Sequence, residues 1–505
     1  MGANELWPLG ATELAKLVAS GEVSAAEVME AHLERIAAVN PRVNAVTRLL
    51  EDSARQAARE TDRRRAAGEQ LGPLAGVPFT VKENIHVEGS ATTHGVPYFR
   101  DWVAQSDAPP VRRLRAAGAI PIGRTNMPDL AIAGLHTVSQ LFGDTVNPWD
   151  PRRTPGGTSG GDAVAVATGM AALGLGNDSG GSIRNPATFN GVAGLKPSYG
   201  RFPADHRMND QDPVLGHQLF PVDGPLARSV ADLRAAYEVL AGTDPQDPRA
   251  VPAPLYGPRP DAPVRVGVVT DPGGRGDVHP DVRAAIEAAA AALEDAGHPV
   301  EEVEIPRLQD ALDGYGALLR TEFSLAWPTL RRLLTDDSAR HIELDTQRHP
   351  AVGLEDYLRQ TGVRLGVQRA WAHFFEHCPL LLGPVSTQPV PEPVVPRTPE
   401  ERDATFTPMR LLTASTYVGV PAVAVPTGIA SGLPQGVQVM AGMYREDLCL
   451  DAAQRIEERL GVLTPLDPRP RRWEAGERQP IGANESMGIS PGTSQQPGCS
   501  PTANR

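Results

Sequence analysis

The sequence predicts an α/β protein. Three observations carry that reading. A buried strand, "DAPVRVGVVTD" (261–271), a strongly helical run, "HPDVRAAIEAAAAALEDAG" (279–297), and an alternating, edge-like strand, "HPVEEVEIP" (298–306), follow one another as a βαβ-type unit. Further short apolar runs with strand character lie in both halves of the chain, between helical stretches. No internal repeat or interior linker divides the 505 residues, so 1–465 reads as one large domain.

Taken in order, residues 1–70 read as an N-terminal helical segment packing on the core. "LGATELAKLVASG" has Thr12 as a helix cap and Gly21 as a stop. Ser24-x-x-Glu27 is a capping box that opens a helix expected to end before Pro41. "GVPFTVKENI" (76–85) is a strand with Phe79 and Val81 on one face and Thr80 and Lys82 on the other. "GAIPIGRTNM" (118–127) is a second strand running into a loop. "DAVAVATGM" (162–170) is a helix of small residues, able to approach other backbone closely. Residues 307–378 read as a helical insertion. "GVPAVAVPTG" (419–428) and "QGVQVMAG" (435–442) are late strands, and "DLCLDAAQRIEERLG" (447–461) is a closing helix. Residues 466–505 are rich in Pro, Gly and Ser without periodicity and read as a disordered tail.

The net charge of -13 argues against a nucleic-acid-binding surface. Apolar runs are broken by Gly or Pro well short of the roughly 18 residues of a membrane span, and no signal peptide is evident. Cys378, Cys449 and Cys499 are too few and too scattered for a disulfide framework or a zinc site. A cytoplasmic protein acting on a small molecule is the expectation. The chain has 48 Lys plus Arg, and only Lys16, Lys82 and Lys196 are lysine. Arginine cannot lose its proton in a protein, whereas a desolvated lysine can, so the surviving lysines are marked for roles arginine cannot fill.

The stretch "PGGTSGGDAVAVATGMAALGLGNDSGGSIR" (155–184) holds two Gly-rich hydroxyl loops. Gly174-x-Gly176 lacks the third glycine of a dinucleotide fingerprint. "GTSGG" matches the serine-hydrolase elbow with Ser159 at its centre, but the charged, proline-broken "NPWDPRRTPG" before it does not read as a strand. In "DSGGSIR" the backbone N–H groups of Ser179, Gly180, Gly181 and Ser182 can turn toward one point as an oxyanion nest, with Ser182 placed to attack. A serine nucleophile needs a base. His86, His94, His136, His206 and His217 have no distinguishing spacing, and Lys82, at the end of a strand, is the stronger candidate.

These segments together, with "PFTVKENIHVEG", "GAIPIGRTNMPDLA", "DGPLARSVADL" and "GLPQGVQVMAG", resemble the amidase signature family over about residues 10–465. The resemblance implies a mixed, twisted central sheet covered by helices on both faces, with the signature domain spanning 71–465. It implies cleavage of small-molecule amides, sometimes esters, by a Ser–cisSer–Lys triad, without metal or cofactor. By motif, Ser182 is the nucleophile and Lys82 the base. The bridging cis-serine position holds Thr158 instead, a hydroxyl with an extra methyl and restricted rotamers. Thr158 is the preferred bridge over the neighbouring Ser159. Asp178 and Arg184 flank the loop as supports. Segments 123–137 and 201–224 are the expected pocket walls. The alternatives are a glutamine-dependent amidotransferase component of the A type and a non-catalytic binding protein on a decayed amidase fold. Oligomeric state stays open, a homodimer being one arrangement to test.

Overall fold

The structure, a computed structural model, describes residues 2–132, 135–208, 211–260 and 262–470. The expected tail lies almost wholly outside them. The strands in chain order are β1 (Val46–Leu49), β2 (Pro78–Lys82), β3 (Ile120–Thr125), β4 (Val138–Ser139), β5 (Gly143–Asp144), β6 (Leu173–Asp178) and β7 (Ala193–Lys196). They continue with β8 (Val222–Ala227), β9 (Val266–Val268), β10 (Val300–Glu302), β11 (Leu380–Pro384), β12 (Ala422–Ala430) and β13 (Leu433–Ala441). β4 and β5 pair with each other, and the other eleven form one mixed sheet in the order β1-β3-β2-β6-β8-β7-β12-β13-β11-β9-β10. The parallel ladder β3-β2-β6 lies in one half and the parallel ladder β11-β9-β10 at the other end. β10 is the edge strand, in keeping with its alternating pattern.

The N-terminal segment is not purely helical. After helices Ala11–Ser20 and Ala25–Val43 it contributes β1, which pairs antiparallel with β3 as the opposite edge of the sheet. The Ser24–Glu27 capping box is present. Two local expectations are corrected. Gly10, not Thr12, caps the first of these helices; the Thr12 N–H and hydroxyl both donate to Asp232, far along the chain. Helix Ala25–Val43 runs through Pro41 and stops at left-handed Asn44. Pro41 sits in the last turn, where the missing N–H removes one bond only, and the Asn40 amide oxygen instead receives the N–H groups of Ala45 and Val46.

The region expected to be helical forms three helices, Leu308–Leu333, Asp336–Arg348 and Leu354–His377. No helix among the described residues is long and apolar enough to cross a membrane. Two features position the site. β2 is central, and all five of its residues are buried. Helix Gly160–Ala167, made only of Gly, Asp, Ala and Val, is buried at every residue and packs on β2, β6 and β8. A helix buried all round needs side chains small enough to be approached from every side.

Candidate active site

Lys82 ends β2, and its side chain is fully buried. Nζ lies 2.5 Å from Thr158 Oγ1, 3.1 Å from Ser159 Oγ and 2.6 Å from Asn177 Oδ1. All three partners are neutral oxygens, and no carboxylate among the described residues is within ion-pair distance of it. Burial pushes the amine well below the ordinary lysine range, against the pull of Asp162, Asp223 and Asp178.

The neighbouring bonds decide which oxygen can give Lys82 a proton. Asn177 Nδ2 donates to Asn84 Oδ1, which turns Asn177 Oδ1, an acceptor only, toward Lys82. The Ser159 hydroxyl donates to the Asn177 carbonyl at 3.2 Å, so toward Lys82 it accepts. Thr158 makes no other side-chain hydrogen bond among the described residues, and its hydroxyl hydrogen is available to the lone pair of a neutral amine. Ser159 is fully buried and bonded on both sides, and no strand directly precedes it, which removes it as a nucleophile-elbow serine. Asn177 does not stand out in the sequence; its place at the end of β6, immediately before the Gly-rich loop, is the available signal.

The close approach of this loop to the sheet requires glycine in β6. A Cβ on Gly176 would stand 2.6 Å from Ser159 Oγ, and one on Gly174 would stand 3.0 Å from Asp162 Cβ. That contact, not nucleotide binding, accounts for the Gly174-x-Gly176 spacing. The peptide bonds at Thr158 are trans; the only cis bond among the described residues is Thr464–Pro465. Gly156 and Gly157, both at positive φ, turn the loop so that Thr158 reaches Lys82.

Ser182 follows β6 and lies two residues before the short helix Arg184–Asn190. Its side chain is half-buried and makes no hydrogen bond among the described residues, so the Ser182–Thr158 leg of a relay is not formed in this structure. Asp178 and Arg184 form a fully buried ion pair below the loop, with Arg184 Nε and Nη2 on the two carboxylate oxygens. Arg184 also donates to Ser415, Thr416, Gln438 and the Leu412 carbonyl. Burial would raise the Asp178 carboxyl, but the Arg184 charge and its hydrogen bonds hold it well below the usual carboxylate range.

This carboxylate alters the four-donor nest. The N–H groups of Gly180 and Gly181 donate to Asp178 Oδ1 at 3.2 and 2.8 Å, and that of Ile183 donates to Oδ2. Two of the four expected oxyanion donors are thus turned inward, because a buried anion at the base of the loop takes them first. The N–H groups of Ser179 and Ser182 have no acceptor among the described residues. Tyr315, from helix Leu308–Leu333, donates its hydroxyl to the Ser179 carbonyl and covers the loop.

His206 pairs with Asp223, His217 with Glu322, and His86 Nδ1 with Thr92 Oγ1. His94 and His136 are buried. Of the expected pocket walls, Phe202, Ala204, His206, Pro221 and Val222 line a shallow cavity, with room for little more than a water molecule, together with Tyr199, Gly200, Asp247 and Arg249. Val222 is the register partner of Asp178, which places this cavity beside the loop. From the other wall, the Thr137 hydroxyl donates to the Gly157 carbonyl, next to Thr158. Ala133, Gly134, Asn209 and Asp210 of those walls lie outside the described residues.

Comparison with known proteins shows the family. The chain is 42% identical to an indoleacetamide hydrolase of Bradyrhizobium diazoefficiens over 473 residues, covering 93% of this chain and 89% of that protein. It is 37% identical to the A component of the glutamyl-tRNA(Gln) amidotransferase of Salinispora tropica, covering 91% and 99%. The solved structure of a bacterial aryl acylamidase of the amidase signature enzymes superposes with a TM-score of 0.78 at 26% identity, covering 90% of this chain and 97% of that one. Residues 27–450 match the amidase family model, and the chain belongs to the amidase family.

Proposed function

We propose that the protein hydrolyses the C–N bond of a small carboxamide through an acyl-Ser182 intermediate, with Lys82 as base and Thr158 as the bridging hydroxyl. One observation carries the assignment of roles: a fully buried lysine rests on neutral oxygens, and only the Thr158 hydroxyl has a hydrogen to offer it. Ser182 Oγ attacks the carbonyl carbon. Its proton passes to Thr158 Oγ1 while the Thr158 proton passes to Lys82 Nζ. The N–H groups of Ser179 and Ser182 are the donors ready for the oxyanion, and one such donor lowers a barrier by about 2.7–4 kcal/mol. The C–N bond breaks as the proton returns along the same path to the leaving nitrogen. Ammonia or an amine departs; water then attacks the acyl carbon, its proton passes through Thr158 to Lys82 and returns to Ser182 Oγ as the acyl–oxygen bond breaks, and the acid is released.

The relation to indoleacetamide hydrolase makes arylacetamides the first substrate class to assay. The test is a panel of primary and N-substituted amides with the purified chain, read as released ammonia or amine. Turnover of at least one arylacetamide, lost in Ser182→Ala, supports the reading; turnover unchanged in Ser182→Ala refutes the nucleophile.

A second reading has its own support, the similarity to the A component of amidotransferases over 91% of the chain. There the chain would be the amide-cleaving member of an assembly. A stable stoichiometric partner on co-purification, with glutamine as the preferred amide, favours it. Turnover of small amides by the chain alone or as a homodimer favours the hydrolase.

A further inference from the structure

We infer that Asp162 is a positioning residue that sets the proton affinity of Lys82 from beneath the site; the inference rests on the reading of Lys82 as the base. Asp162 takes no part in the steps above, yet it is a fully buried carboxyl one helical turn after Ser159. It makes no cap bond to the start of its helix, the usual local use of an acidic residue in a first turn. Its Oδ1 accepts from Thr80 Oγ1 at 2.9 Å, and its Oδ2 is buried without a partner.

The geometry is two stacked contacts between β2 and helix Gly160–Ala167. Thr80 and Lys82 are two apart on the strand and share a face. Ser159 and Asp162 are three apart and share a helix face. Thr80 meets Asp162, and Lys82 meets Ser159. Gly174 lets the carboxyl sit this deep, since a side chain there would meet Asp162 Cβ at 3.0 Å.

A half-satisfied carboxyl in a dry site is an expensive way to hold one threonine, because buried polar atoms without partners are destabilising. Its charge gives it a use. Facing Asp162 are Thr80 and Lys82 from β2, and Arg124 and Thr125 from β3. Arg124 donates to the Lys82 and Ile85 carbonyls. Facing Lys82 from further round are Asp178 of β6 and Asp223 of β8. Burial pushes the Asp162 carboxyl up, opposed by the nearby hydroxyls of Thr125 and Thr80 and by the charges of Lys82 and Arg124. Among the carboxylates that oppose the burial of Lys82, Asp162 is the strongest. The two groups therefore titrate as a pair. A proton on Asp162 releases Lys82 as a free amine; an ionised Asp162 holds Lys82 charged.

The chain has only three lysines, which makes the test direct. Protein labelled with 13Cε-lysine gives three resonances, and that of Lys82 is assigned by its loss in Lys82→Arg. Titration of the full chain by NMR reads the Lys82 midpoint without any turnover. In Asp162→Asn the midpoint is expected to fall by about 1 unit or more. In Thr80→Val, which removes the donor that favours ionised Asp162, it should fall in the same direction by less. A midpoint unmoved or raised in both variants overturns the inference, and Thr80→Val carries the test if Asp162→Asn does not fold. Turnover retained in Lys82→Arg would instead overturn the mechanism, whatever the titration shows.

Discussion

Lys82 Nζ and Thr158 Oγ1 stand 2.5 Å apart, with the Ser159 hydroxyl turned away to the Asn177 carbonyl. This relationship sets apart two adjacent hydroxyls, of which the motif already prefers Thr158 as the bridge. Thr158→Val keeps the shape and removes the hydroxyl, so kcat should fall by about 10²–10⁴-fold, the range of a lost general acid–base step. Thr158→Ser should retain or raise activity. Ser159→Ala should lose much less than Thr158→Val, because Ser159 serves Lys82 only as an acceptor. Steady-state kinetics on one amide checks all three; full activity in Thr158→Val places the bridge elsewhere.

The depressed proton affinity of Lys82 fixes the sign of the pH dependence. The base works neutral, so kcat/KM rises as pH passes the folded-state pKa, which burial holds below the ordinary 10.5. The rate should reach its plateau well before that value. A rate still climbing through pH 10.5 would show a lysine with no such shift. Lys82→Arg, with a charge that cannot be removed, should be inactive at every pH.

Arg184 anchors the nucleophile loop through Asp178. Arg184→Ala leaves a fully buried, unpaired carboxylate and should cost about 3–5 kcal/mol in chemical denaturation. Arg184→Lys should recover little of it, because one ammonium cannot bond both carboxylate oxygens together with Ser415, Thr416 and Gln438. A variant as stable as the parent would contradict the role of the pair.

The glycines of β6 give a fourth expectation. Gly176→Ala introduces a Cβ 2.6 Å from Ser159 Oγ and 2.9 Å from its Cβ, and overpacking of that kind costs about 1–3 kcal/mol. It should also displace the Ser159–Lys82 contact and lower kcat more than it raises KM. Unchanged kcat in a folded Gly176→Ala variant would show that the relay tolerates this shift.

Strong local signals were legible in the sequence. The capping box at Ser24, the βαβ unit ending in β10 and the small-residue helix follow from pattern because each is dictated by neighbours in the chain. β6 does not, since "LGLGND" has no β-branched residue and its alternating glycines read as part of a Gly-rich loop; those glycines answer to a helix packed across the strand. β1 is hidden because four residues at a sheet edge leave almost no pattern. Lysine scarcity points to Lys82 but equally to Lys196, which is also fully buried and pushed down to about 7 by burial. Strand position and motif favour Lys82, and the structure adds that Lys196 Nζ meets the Pro197 carbonyl and no hydroxyl. The direction of the Gly180 and Gly181 N–H groups is likewise hidden, since it depends on the depth of Asp178 below the loop.

The central claim is that Ser182 carries the acyl group. It is tested most directly by treating the protein with an active-site-directed fluorophosphonate and mapping the modified peptide by mass spectrometry. The expected result is a single adduct on Ser182, absent from Ser182→Ala and suppressed in Lys82→Arg. An adduct on Ser159 or Thr158, or labelling that persists in Ser182→Ala, would contradict it.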